Sequence, residues 1–202
     1  MTSPRCLGIL ALALSVSTSL PAAGPAGHQA TSTSPAASAP PAAAAAKIED
    51  QASFSVIGIS VVTSAAKEAG GDGEIRKLWE RVMQEGLIDS IPSRADGGMI
   101  AVYSGFLKSD PTQYTYTLGA RVTSTSKVPD GFVALTVPAG KYAVVETEQG
   151  GLPDILPKVW KSIFAMTPKE LGGERAFQSD YEEFPENMDW QNTQVSVHLG
   201  LK

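Results

Sequence analysis

The chain has 202 residues, with 21 acidic and 16 basic side chains and a net charge of −5. This acidic balance argues against a nucleic-acid-binding protein, because the phosphate backbone selects basic surfaces. A single cysteine, Cys6, and two histidines exclude a disulfide framework and a zinc centre built from Cys and His ligands.

The N-terminal residues have the three-part pattern of a secretory signal. Arg5 precedes an apolar run over residues 7–16, and small residues follow it up to Gly24. The sequence therefore predicts a signal peptide over residues 1–24 and an exported protein, periplasmic or secreted. The apolar run is shorter than the roughly 20 residues that cross a bilayer. No later run reaches that length, so no membrane span is predicted.

The composition changes again after the predicted signal. Residues 25–47 are rich in Ala, Pro and Ser and contain no aromatic side chain. Such a segment buries too little surface to offset its loss of conformational entropy, which predicts a disordered tether. Residues 48–202 carry all acidic and aromatic side chains, and their number suits one folded domain.

The first half of this domain has the pattern of a strand, a helix and two further strands. The strands are predicted at residues 54–62, 99–105 and 114–122. The helix is predicted over residues 74–86, with Asp72 as its N-cap and Gly86 as its stop. Its apolar stripe follows the helical period and consists of Ile75, Leu78, Trp79 and Val82.

The second half repeats that order. Residues 132–137 and 142–146 are strand-like, residues 155–164 carry a second helical stripe, and residues 195–202 alternate between apolar and polar. This order predicts an α+β fold of two strand-helix-strand-strand repeats, with an antiparallel sheet, two main helices and a central groove. A groove between two such halves is a common place for a binding site.

Five short motifs follow one another through this domain. They are Tyr114-x-Tyr116-x-x-Gly119, Val128-Pro-x-Gly131, Val137-Pro-Ala-Gly-Lys-Tyr142, Val159-Trp160-x-x-Ile163-Phe164 and Tyr181-Glu182-x-Phe184. In this order they resemble the GyrI-like effector-binding domain, which also forms the ligand-sensing part of AraC-type and MerR-type regulators. The resemblance covers residues 54–202. No helix-turn-helix segment accompanies it, so a DNA-reading role is not carried over.

The resemblance implies a groove lined by aromatic rings around a glutamate that attracts cationic, amphipathic compounds. The ligand-binding residues that it implies are Glu182, Trp160, Tyr116, Tyr103 and Phe184. A buried carboxylate beside rings would hold a cation by Coulomb and cation–π attraction together. From the residues alone a second interpretation stays open, in which Glu182 is a solvated member of the acidic run that includes Glu183 and Glu186.

These observations predict an exported small-molecule-binding protein whose partner is a small organic ligand, either lipophilic or aromatic, with cations among the candidates. No cofactor and no metal is predicted, because His198 is the only histidine of the folded part and is expected at the surface. Paired-carboxylate catalysis by Glu182 and Glu183 is excluded, since neighbours on a strand point to opposite faces. Two alternatives remain: a small-molecule hydrolase that uses the groove glutamate as a base, and a protein-interaction module of unknown partner.

Overall fold

The computed structural model describes residues 46–71 and 73–202. The predicted signal peptide, the predicted tether up to Ala45 and the predicted cap Asp72 lie outside those residues. Lys47, the last residue of the predicted tether, is already the first residue of a strand. None of the helices in the described part is both long enough and apolar enough to cross a membrane.

An antiparallel sheet of eight strands dominates the described residues, with helices against it. The strands are β1 (Lys47–Gln51), β2 (Phe54–Ser64), β3 (Met99–Ser104), β4 (Gln113–Val122), β5 (Val133–Val137), β6 (Gly140–Glu146), β7 (Arg175–Phe184) and β8 (Ser196–Leu201). The helices are α1 (Ala65–Ala69), α2 (Glu74–Glu85), α3 (Leu152–Ala165) and α4 (Pro168–Leu171), and one 3₁₀ turn follows α2 at Leu87–Ser90.

Two repeats of the same order build this sheet. The first is β2-α2-β3-β4 and the second is β6-α3-β7-β8. In the strand order β1-β6-β8-β7-β3-β4-β2-β5, the repeats meet where β3 pairs with β7. The predicted α+β fold with two strand-helix-strand-strand repeats is confirmed. Strand β1 and the short helices α1 and α4 are additions to the predicted elements.

The repeats exchange their outermost strands. β1 pairs with β6 of the second repeat, and β5 pairs with β2 of the first. One link joins β1 to β2 and the other joins β5 to β6. The two links lie side by side, because the residues that flank them are paired: Gln51 lies opposite Gly140, and Phe54 lies opposite Val137. Each link has only two residues, and three peptide units span at most about 11 Å. The two ends of the sheet are therefore drawn towards each other, and the sheet is strongly curved.

This curvature creates a core on each face of the sheet. On one face, α2 packs through Leu78, Trp79 and Val82, while the second half of α3 packs through Val159 and Ile163. The other face has an apolar cluster of its own, drawn from both repeats, whose largest members are Tyr142 and Tyr181. Successive residues along β7 consequently point in turn towards the helices and towards this second core.

Helix α2 begins where a neighbouring carboxylate satisfies its free amides. Glu68, at the end of α1, accepts hydrogen bonds from the amides of Glu74 (3.0 Å) and Ile75 (3.3 Å). The helix ends at Gly86, whose φ of 63° is the left-handed conformation that glycine adopts most readily. The predicted helix and its stop are thus confirmed to within one residue.

Two glycines allow β2 and β4 to approach closely at the centre of the first repeat. Gly58 lies directly opposite Gly119, and a Cβ atom on Gly58 would lie 2.5 Å from the carbonyl oxygen of Leu118. We expect Gly58→Ala to lower the free energy of unfolding by about 1–3 kcal/mol, because backbone atoms must shift to admit the methyl group. Urea unfolding measures this loss.

Gly140→Ala is the matched control for that substitution. A Cβ atom there meets nothing within 4 Å, and the residue also lies in a strand. An equal loss of stability in both variants would show that the close approach of β2 and β4 is not the cause of the loss in Gly58→Ala.

Candidate functional site

Glu182 lies on β7 and faces the helices. Its neighbours across the sheet are Ala101, which belongs to the core under α2, and Val197, which belongs to the core under the second half of α3. Its side chain is 1% exposed. Two neutral groups donate hydrogen bonds to its Oε1 atom: the Tyr103 hydroxyl at 2.9 Å and the Trp160 indole Nε1 at 2.6 Å. The sheet supplies the first contact, since β3 pairs with β7, and α3 supplies the second. The solvated interpretation of Glu182 is therefore wrong for this structure.

Burial changes the acidity of this carboxyl group. Removal from water raises the pKa of Glu182 from 4.5 to about 7, although the hydrogen bonds from Trp160 and Tyr103 pull the pKa the other way. Neither donor carries a positive charge, so the ionised form has no countercharge among its hydrogen-bond partners. Both protonation states are accessible near neutral pH, and the ionised form is the one that a cation would stabilise.

Aromatic rings extend from this carboxylate towards the surface. The ring of Tyr103 lies 5.0 Å from that of Trp160 and 5.3 Å from that of Tyr114. Trp160 in turn contacts Phe164 one helical turn later, with 5.6 Å between their centroids. Phe164 is 68% exposed, whereas Tyr103 and Trp160 are half-buried. The structure thus provides ring surface from the acid to solvent.

Tyr116 and Phe184 lie deeper than the other predicted ligand-binding residues. Tyr116 is 1% exposed, contacts the ring of Tyr103 at 5.0 Å and accepts a hydrogen bond from Trp79 at 2.8 Å. Phe184 is also buried and packs edge-to-face on Trp79 at 5.2 Å. Both support the layer of rings that surrounds Glu182. Whether either contacts a ligand stays a prediction.

The described structure adds two aromatic residues that were absent from the predicted set, Tyr114 and Phe164. Each had a signal in the sequence. Tyr114 is two residues before Tyr116 on β4 and so shares its face, while Phe164 is four residues after Trp160 on α3 and so shares its stripe. The predicted set concentrated on rings beside the acid and omitted those nearer the solvent.

The neighbouring acid, Glu183, faces the opposite core, as the alternation of β7 predicts. It forms an ion pair with Arg121, and one of its oxygens lies 3.2 Å from His198 Nε2. Burial alone would raise the pKa of Glu183, but the contact with His198 and the Arg121 charge hold it below its usual value. Glu182 and Glu183 therefore cannot act together on one substrate.

The prediction that His198 lies at the surface is wrong. Its side chain is 5% exposed, and its ring stacks on Tyr181 with 4.3 Å between centroids and 9° between planes. The alternation of β8 predicts a polar, open face here, but the Tyr181 ring lies over the imidazole and Glu183 lies against its Nε2 atom. Within residues 46–71 and 73–202, no group of three His, Cys, Asp or Glu side chains has an arrangement that could hold a metal ion.

Comparison with known proteins places this chain among effector-binding proteins. A family model described as Cass2, integron-associated effector binding protein, matches residues 47–199. YobU of Bacillus subtilis strain 168, a protein provisionally named as a transcriptional regulator, is 27% identical over 148 residues. The match covers 72% of this chain and 90% of YobU.

Solved structures share the fold. An integron cassette protein of Vibrio cholerae, VCH_CASS2, superposes with a TM-score of 0.61 at 21% identity, covering 77% of this chain and 95% of that one. SAV2435, solved bound to tetraphenylphosphonium, superposes with a TM-score of 0.64 at 17% identity, covering 78% and 93% respectively. At these identities the likeness concerns the fold alone.

Proposed function

The chain belongs to the Cass2 family of integron-associated effector-binding proteins, and we propose that it binds a lipophilic or aromatic cation at Glu182, Tyr103 and Trp160. Family membership confirms the predicted resemblance to an effector-binding domain and supports a small organic molecule as the ligand. The charge of that molecule and its place in the domain are the parts that we propose.

The observation that carries this proposal is a buried carboxylate that has rings and neutral donors around it but no cationic side chain among its hydrogen-bond partners. A cation that enters such a place gains Coulomb attraction at low effective dielectric and cation–π attraction to the rings. A neutral ligand gains only the apolar contact with the rings and lacks both electrostatic contributions. The solved complex of SAV2435 with a lipophilic cation supports the same class of ligand for a protein of this fold.

Binding requires the site to open. Glu182 is 1% exposed, and the Tyr103 and Trp160 side chains both donate to its Oε1 atom. We propose that one of these rings moves aside when a ligand enters. Trp160 lies three residues after Pro157, which has no amide hydrogen to donate within α3. We propose that the second half of α3 moves with Trp160 when the ligand enters.

Titration of the purified protein with tetraphenylphosphonium tests the proposed function. We expect saturable binding that changes the tryptophan fluorescence, and at least tenfold weaker binding of triphenylphosphine oxide, a neutral compound with three of the same aryl groups. Equal affinity for both compounds would contradict the electrostatic role of Glu182. No binding of any lipophilic cation would overturn the proposal.

A hydrolase remains the second candidate, and the acidity of Glu182 favours it. The carboxylate form of a group whose pKa is about 7 can accept a proton from a water molecule as that water adds to an electrophilic ligand carbon. The bond from this carbon to its leaving group then breaks, and protonated Glu182 returns the proton to the leaving group. Incubation with an excess of an electrophilic aromatic compound distinguishes the two functions. Consumption beyond one equivalent that is lost in Glu182→Gln supports catalysis, whereas binding without consumption supports the binding function alone.

We also propose that the protein acts after export, because of the predicted signal peptide. The support is the order of Arg5, the apolar run at residues 7–16 and the small residues that follow. Mass spectrometry of the protein from its native host tests this. A mature chain that starts near residue 25 supports export, and an intact N-terminus in the cytoplasmic fraction contradicts it.

A further inference from the structure

An apolar cleft lies beside the end of α3. It has a volume of about 310 Å³. Its apolar lining comes from the segment after α3, from α4 and from β7, through Met166, Pro168, Leu171 and Phe177. We call this the outer cleft. It is separate from the carboxylate of Glu182, and the proposed function above makes no use of it.

Phe177 has an unusual backbone conformation at the edge of the outer cleft. Its φ is +49°, in the left-handed region that bulky residues rarely adopt, and it lies where the register of β7 shifts between Arg175 and Asp180. Two side-chain contacts accompany this conformation, since the Arg175 guanidinium lies 4.4 Å from the ring centroid and the Phe106 ring lies 5.7 Å away. Unfavourable backbone conformations that persist in this way are concentrated at functional sites. The ring is nevertheless 39% exposed.

A row of rings joins Phe177 to the carboxylate. Phe177 contacts Phe106 at 5.7 Å, Phe106 contacts Tyr114 at 6.0 Å, and Tyr114 contacts Tyr103 at 5.3 Å. Tyr103 donates its hydroxyl hydrogen to Glu182. Phe177 at the outer cleft and Tyr103 at the acid are therefore the two ends of one row of contacting rings.

The charged groups around the outer cleft are paired with each other. Lys202 lies 2.8 Å from Glu174, and Arg175 forms an ion pair with the buried Asp180. These pairs leave the cleft with apolar surface and no net charge to offer. An uncharged apolar group is the occupant that this lining fits, because a second cation would have to compete for carboxylates that already have partners.

We propose that the outer cleft is a second subsite, which binds the alkyl or aryl tail of an amphiphilic cation whose charged head lies at Glu182. This inference rests on the proposed function and adds that ligands with one charged end and a long apolar tail bind more tightly than short cations with the same head. Phe177 is then the residue that determines tail specificity, and the rings between it and Tyr103 support the middle of the ligand.

A series of cations with one head and tails of increasing length tests the second subsite. Alkyltrimethylammonium ions from butyl to decyl, kept below micelle-forming concentrations, are titrated into the full-length protein with benzyltrimethylammonium as the short reference. We expect affinity to rise by about fourfold for each methylene that the cleft buries. Phe177→Ala should remove most of this rise and leave the affinity for benzyltrimethylammonium within about twofold.

Val133→Ala is the matched control, because Val133 is 42% exposed and lies on β5, which does not line the outer cleft. This variant should keep the full dependence on tail length. Unfolding curves of both variants establish that they are folded. A dependence on length that survives in Phe177→Ala, or a wild-type protein that binds all tails equally, overturns the second subsite. Absence of binding for every cation, including tetraphenylphosphonium, instead overturns the proposed function itself.

Discussion

Glu182→Gln is expected to weaken the binding of tetraphenylphosphonium by about 100-fold or more at pH 8. Two unit charges 4 Å apart interact with about 4 kcal/mol at an effective dielectric of 20, and this substitution removes one of them. The glutamine keeps the shape of the side chain, and its oxygen can still accept from Tyr103 and Trp160. Isothermal titration calorimetry of both proteins measures the loss.

The same variant should be more stable than the natural protein at pH 8. The pKa of Glu182 is about 7 in the folded protein, against an ordinary value of 4.5. The folded state therefore holds this proton more tightly than the unfolded state does. This contribution to the free energy of unfolding is fully present below about pH 4.5 and is lost as the pH rises through about 7. The 2.5-unit difference between the two pKa values corresponds to a cost of about 3 kcal/mol at most for burying the ionised carboxylate. Glutamine carries no charge and therefore avoids this cost. A gain in stability with a loss of binding identifies a residue kept for function.

Glu183→Gln controls for the general effect of removing an acid from β7. Glu183 is the next residue on the strand but faces Arg121 and His198 in the opposite core. We expect it to lose stability, because Arg121 keeps a charge without its partner, and to retain its affinity for the cation. Equal weakening of binding in both variants would show that the overall negative charge attracts the ligand, rather than a carboxylate in the site.

The helices and the repeat order were predictable from the sequence because their signals are local. The apolar stripe of α2 and the glycine at its end lie within a dozen residues of each other, and the repeat appears as the same order of patterns twice. Strand β1 gave no such signal. Its residues, Lys47–Gln51, alternate poorly, and the strand exists because β6 offers it an edge. Pairing between distant segments decides such a strand.

The sequence predicted which residues form the candidate site better than it predicted how deeply they are buried. Glu182 stands in an acidic run, and its burial depends on Tyr103, 79 residues earlier, and on Trp160, 22 residues earlier. Only the pairing of β3 with β7 and the packing of α3 bring these side chains together. The burial of His198 could not be predicted for the same reason. The alternation of β8 shows on which face of the strand His198 lies, but not which side chains cover that face.

The affinity for a cation is expected to depend steeply on pH. Only the ionised form of Glu182 attracts a positive charge, and an apparent dissociation constant rises as the fraction of the competent form falls. With a pKa of about 7, this form makes up about 1% of the free protein at pH 5 and nearly all of it at pH 9. Affinity should therefore increase by about tenfold per pH unit up to neutrality and level off above pH 8.

Calorimetric titrations between pH 5 and pH 9, in pairs of buffers that differ in ionisation enthalpy, measure both the affinity and the protons released. At pH 6 the bound cation should displace close to one proton, because it stabilises the carboxylate that burial had kept protonated. Glu182→Gln should bind weakly at every pH and release none. An affinity of the natural protein that stays constant from pH 5 to pH 9 would mean that the cation does not reach this carboxylate, since a ligand that contacts an acid so near neutrality has to compete with the proton.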